Sequence, residues 1–310
     1  MDMKMKMLNK IAALGVGAIS FISAQASAQL RVVATTPDLA SVAREIGGDR
    51  VNVVALAKPT EDPHFVDAKP SFIVTLNRSD ALIEGGAELE LGWLPPLLEN
   101  SRNSRLAAGA PGHVVASEGI RLLEIPTSFD RSKGDIHSLG NPHFMIDPTA
   151  VKTVARNIAT HFAQLDPKNA SAYNANLARF NSRLDAKLAD WQKQLAPYRG
   201  AKIVTYHRDF IYFAQRFGLT IVDELEPKPG ISPSPAHLAQ VIGEMKRNNV
   251  KVILVQPFQN RKTAETVARQ TGARVVDAPQ QPGAASNSAS YFDNMDNLVR
   301  AIAAGLGART

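Results

Sequence analysis

The chain has 310 residues, of which 45% are hydrophobic and 21% charged, with a formal net charge of +6 and no cysteine. This is the composition of a packed globular protein of about two domains, and it excludes disorder, collagen-like repeats and a disulfide scaffold. Without thiols there is no iron–sulfur cluster, Cys-type zinc finger or cysteine nucleophile, so any metal rests on His, Asp or Glu. The basic surplus forms no Lys/Arg block and specifies no nucleic-acid partner.

Lys4, Lys6 and Lys10 precede an apolar run from Ile11 to Ile22, and Ala26-Ser27-Ala28 fits a small-residue cleavage site. Residues 1–28 are therefore expected to be a cleaved secretory signal, because the run is shorter than the roughly 20 residues a membrane span needs. The signal carries no cysteine, so the expectation is a soluble periplasmic protein with no membrane insertion, and not a lipoprotein.

Arg31 to Thr35 is a β-branched run that predicts a strand. Thr36-Pro37-Asp38 then supplies an N-cap, a first-position proline and a first-turn acid. Leu39, Val42, Ala43 and Ile46 keep a helical spacing until Gly47-Gly48, and a second strand from Val51 to Ala57 completes a β-α-β unit. A helix near 69–76, a strand near 81–84 and a loop around 100–112 follow. Asp147-Pro148 opens another helix. Tyr173, Leu177, Phe180, Leu184, Leu188, Trp191 and Leu195 form one apolar stripe along the longest helical stretch, stopped by Pro197 and Gly200. A second α/β series then runs through strands at 201–206, 219–225, 251–255 and 273–277. Its helices fall at 208–217, 235–248 and 261–270, with a last one from about 291. The expected organisation is α/β: a signal at 1–28, an N-terminal lobe at 29–168, a stiff linking helix at 169–197 and a C-terminal lobe at 198–310, with no sequence repeat between the lobes.

The chemistry rests with the histidines. His64, His143 and His207 each lie in a loop between a strand and a helix, the kind that converges on the ligand crevice of open α/β sheets. Neutral imidazoles there can hold a divalent metal, and three nitrogens suit zinc better than magnesium or calcium. Pro63 and Pro142 stiffen two of the loops. His161 and His237 are expected to face solvent and His113 to be structural, while His137, six residues before His143, is a possible accessory ligand.

The Thr36-Pro37 start, Asp62-Pro-His64, Asn141-Pro-His143-Phe-Met-Ile-Asp147-Pro148, Tyr206-His207 and Glu226-Pro-Lys-Pro-Gly-Ile-Ser-Pro-Ser-Pro235 occur in this order over essentially the whole chain after the signal. In them the sequence resembles the metal-binding solute receptors of ABC importers, the zinc/manganese cluster. The resemblance implies two parallel-sheet α/β lobes joined by one long rigid helix, with a metal site in the cleft between them. His64 and His143 from the first lobe and His207 from the second would close around one ion, and the receptor, a monomer, would hand it to a membrane permease. Many relatives add an aspartate after the last strand of the second lobe. Here Asp277 sits too early, so Asp277, His137 or water stands open as fourth ligand, and Gln256 stands where relatives often carry Glu. Three imidazoles favour zinc as transported ligand, with manganese or iron(II) next.

No catalysis is expected. A secreted three-His zinc hydrolase would need a positioned base, and no H-E-x-x-H motif occurs. A receptor for a siderophore or corrinoid would have an aromatic-lined cleft without converging histidines. The stiff helix predicts metal release by local movement of the His64 or His207 loop.

Overall fold

In a computed structural model, residues 29–126, 137–228 and 230–307 are described; the expected signal at 1–28 lies outside them. Strand β1 (Leu30–Ala34), helix α1 (Pro37–Gly47) and strand β2 (Val51–Ala55) form the expected β-α-β unit, followed by α2 (Pro70–Arg78), β3 (Ala81–Glu84), α3 (Leu94–Ser101) and β4 (His113–Val115). These four strands make one parallel sheet in the order β2-β1-β3-β4. The register pairs Val32 with Val53 on one side and Val33 with Leu82 on the other.

The second sheet repeats that topology. It contains β5 (Lys202–Thr205), β6 (Thr220–Glu224), β7 (Val252–Val255) and β8 (Arg274–Asp277), ordered β6-β5-β7-β8 and again parallel. Helices α6 (Ile211–Phe217), α7 (Pro235–Arg247), α8 (Arg261–Thr271) and α9 (Tyr291–Gly307) cover it. In both sheets the chain reverses its winding direction between the first and third strands, so each lobe has a ligand crevice at the carboxyl ends of its strands.

Between the sheets run α4 (Pro148–Leu165) and α5 (Ala170–Leu195). Asp147 caps α4 by accepting from the Thr149 N–H at 2.9 Å. The 26 residues of α5 reach about 39 Å at 1.5 Å per residue. Its stripe buries Tyr173, Phe180, Leu184, Trp191 and Leu195, with Leu177 and Leu188 partly covered. These side chains belong to one apolar cluster that also takes in Val32, Ile83, Ile203 and Leu254 from both sheets. Polar ties cross as well: Arg216 holds Asp147 through two bonds of 2.7 and 2.9 Å, and Ser41 Oγ accepts from the Tyr291 N–H. Among the described residues no helix is long and apolar enough to cross a membrane.

Candidate metal site

Asp62-Pro63-His64-Phe65 and Asn141-Pro142-His143-Phe144 are built alike. In each, the side-chain oxygen two residues before the histidine accepts from its backbone N–H, at 3.0 Å in both cases. The same oxygen meets the ring Nδ1, at 2.8 Å for Asp62 and 2.9 Å for Asn141. A proline between them fixes φ, so the short polar residue, the turn and the ring orientation come as one unit. His207, just beyond β5, gets its orientation from another strand end: its Nδ1 lies 2.7 Å from Glu226 after β6. All three rings thus have Nδ1 occupied and leave Nε2 for a ligand.

The three histidines converge. One nitrogen from each lies within 4.8 Å of the others, and the ring centroids are 5.1 to 5.5 Å apart. They border a cavity of about 30 Å³ that Asp38, Gln256 and Gln281 also line. A second, open cleft of about 270 Å³ begins at His64 and His207 and continues past Phe65, Tyr206 and Asn260.

The electrostatics prepare the rings unequally. Burial, with His64, His207 and His137 nearby, pushes His143 well below the usual imidazole value, so it stays neutral. Burial also acts to lower His207, but the Glu226 bond, with Asp209 and Asp62 adding to it, leaves it raised. A metal held at His207 would compete with a proton there, and binding is expected to weaken as pH falls through that raised value. Glu226→Gln is expected to lower metal affinity at pH 8 by about 10–100-fold. Because Glu226 stabilises the imidazolium, the same change moves the pH at which binding fails downward. Metal titrations between pH 5.5 and 8 check both effects.

His137 lies against one member of the cluster, its Nε2 3.2 Å from that of His64, but outside the group of three whose nitrogens are all within 4.8 Å of one another. Asp277 does not reach the cluster: it ends β8 with its side chain 72% exposed and paired with Arg261. His113 sits in β4 against Glu84 at 3.3 Å, as a structural residue would. His161 and His237 are half-buried instead of solvent-facing, because each ring bonds a backbone oxygen, of Pro111 and of Glu224.

Asp62, Asn141 and Glu226 escaped the sequence reading as orienting residues, although the paired Asx-Pro-His segments carried the signal for two of them. Asp209 was missed too. It is fully buried, takes the Gln256 and Gln259 amides, and is pushed up by burial to about 6.

Two parallel α/β lobes, braced by a long helix and enclosing clustered imidazoles, define a solute-binding protein for a metal ion. Residues 32–305 match the family described as "ZnuA: Zinc-uptake complex component A periplasmic", and the chain belongs to that family. It is 25% identical to the metal ABC transporter substrate-binding lipoprotein FimA of Streptococcus parasanguinis, over 92% of this chain and 91% of that one. It is 24% identical to the manganese ABC transporter substrate-binding lipoprotein PsaA of Streptococcus pneumoniae, over 92% and 91%. The crystal structure of a ZnuA deletion mutant with zinc bound superposes with a TM-score of 0.77 at 26% identity, covering 91% of this chain and 100% of that one. The class is that of substrate-binding components of metal ABC importers, which work with membrane permease and ATPase components. One expectation is corrected: these relatives are named lipoproteins, which overturns the expectation that the protein is not a lipoprotein, while a periplasmic location stays consistent with the family's description.

Proposed function

We propose that this protein captures zinc through His64, His143 and His207 and delivers it, as a monomer, to the permease of an ABC importer. The observation that carries the reading is the convergence of three imidazoles whose Nδ1 atoms are all engaged, by Asp62, Asn141 and Glu226. Three neutral ligands leave a dication uncompensated, and the outer carboxylates of Asp62 and Glu226 offset that charge without entering the inner shell. Nitrogen-rich donors favour zinc over manganese, which prefers oxygen and sits lowest in the affinity order. The reading divides the chain into lobes at 29–168 and 198–310, with 169–197 as the strut.

Where all three histidines meet, the cavity is about 30 Å³, room for an ion and at most a water. A siderophore or corrinoid would have to lie in the open cleft of about 270 Å³ that His64 and His207 border and His143 does not, which leaves the convergence of three imidazoles without a role. A hydrolytic role is disfavoured because Asp62 and Glu226 are committed to His64 and His207, leaving neither free as a base.

Titration of the metal-stripped protein with zinc and then manganese tests the proposal. One zinc per chain at nanomolar Kd or tighter, with manganese far weaker, is the expected result. Tight manganese and weak zinc would overturn the assignment of the metal, and no binding of either would overturn the capture role.

A further inference from the structure

We propose that His137 is a fourth ligand of the captured ion, completing a four-imidazole cage; this rests on the metal-capture reading above. The Nε2 atoms of His137 and His64 are 3.2 Å apart. Four nitrogens bound tetrahedrally to zinc at about 2.0–2.1 Å lie about 3.3–3.4 Å from one another, so this pair already has the separation of two ligands on one ion. His64 turns its Nδ1 to the Asp62 carboxylate, which places the ring proton there and leaves the Nε2 lone pair facing His137. The His137 ring centroid is 5.1 Å from that of His64 and 6.5 Å from that of His143, so His137 touches the group of three at His64 and has to close towards His143 and His207 when the ion binds.

The local chain holds His137 there. The next residue, Ser138, donates both its backbone N–H and its hydroxyl to the Glu88 carboxylate. The Gly140 N–H closes a turn back onto the His137 carbonyl at 3.2 Å. Gly140 has φ +116°, and a Cβ there would meet Leu123 O and Leu122 Cβ at 2.9 Å, so the turn requires glycine. Asn141 follows directly and orients His143. His137 and His143 therefore flank one short segment pinned by Glu88 at its start and by the Asn141–Arg208 bond at its end.

Other side chains near the cavity are committed elsewhere. Gln281 is bonded to Asp38, whose carboxylate also accepts from Thr36 and the Leu39 N–H. Gln280 donates to the Asp209 carbonyl, and Asp277 pairs with Arg261. A fourth imidazole in place of a carboxylate removes the oxygen donor that manganese prefers and so sharpens selection for zinc.

The test is zinc K-edge X-ray absorption and competitive zinc and manganese titration of the full chain, of His137→Ala and of His137→Gln, with His143→Ala alongside. The wild type is expected to show four imidazole nitrogens. Both His137 variants are expected to show three nitrogens and one oxygen, to lose about 100-fold or more in zinc affinity, and to discriminate less against manganese. Their metal-free thermal midpoints should match the wild type, since His137 lies in a loop. Unchanged inner shell and affinity in the His137 variants, while His143→Ala loses binding, would overturn the fourth ligand and leave the capture reading standing. A wild type that binds no zinc would overturn both.

Discussion

His143→Ala is expected to abolish tight zinc capture while the metal-free protein stays folded. Burial keeps the His143 ring neutral across the physiological range, so its lone pair is available without proton competition. Losing an orienting residue outside the inner shell costs about 10–100-fold in metal affinity, and losing a ligand should exceed that. The structural cost is small by comparison. The Asn141 side-chain oxygen still accepts the backbone N–H of residue 143, and Asn141 keeps its bonds to Arg208 and to the Tyr212 hydroxyl. One ring hydrogen bond is lost, worth about 1 kcal/mol. Zinc competition against a chromophoric chelator, together with thermal unfolding with and without zinc, separates the two quantities. The wild type should gain thermal stability on adding zinc, and the variant should not. Wild-type affinity in the variant would remove His143 from the site.

What was legible in the sequence was local. The strand of β1 and the start of α1 follow from Val32, Val33 and Thr36-Pro37-Asp38, although the Thr36 hydroxyl bonds Asp38 instead of capping the helix backbone. Asp147-Pro148 marked α4, and the stripe from Tyr173 to Leu195 marked α5. Helix α3 was missed because Pro95-Pro96 reads as a breaker; both prolines occupy its first turn, where a helix needs no N–H from them. Strand β4 has three residues, too few for a period, and is held by pairing Val114 with Ile83. His64 and His207 were visible because each follows a strand in a loop, and His143 because it stands just ahead of the helix that Asp147-Pro148 opens. The His64–His137 contact and the Asp209–Gln256 bond join residues 73 and 47 positions apart, and only the packing of the sheets brings them together.

Trp191→Ala should cause the largest loss of stability and leave zinc affinity almost untouched. Trp191 has no exposed surface and lies in the stripe of α5, within the apolar cluster shared by both lobes. Its Nε1 donates to Asp296 of α9 at 2.7 Å, and Lys187 reaches the other oxygen of the same carboxylate at 2.6 Å. Truncating a buried tryptophan costs about 3–5 kcal/mol, a large share of the roughly 5–15 kcal/mol that holds a domain folded. Trp191→Phe retains most of the apolar volume and gives up the bond to a part-exposed carboxylate that Lys187 still neutralises, so its cost should be near 1 kcal/mol. Urea denaturation of the metal-free variants measures both. The histidine rings are held by Asp62, Asn141 and Glu226, none of which belongs to α5, so zinc Kd should move by no more than a few-fold under conditions where the variant is folded. A Trp191→Ala protein that lost affinity in proportion to its stability would show that the strut tunes the site as well as bracing the lobes, and that release can be driven through it.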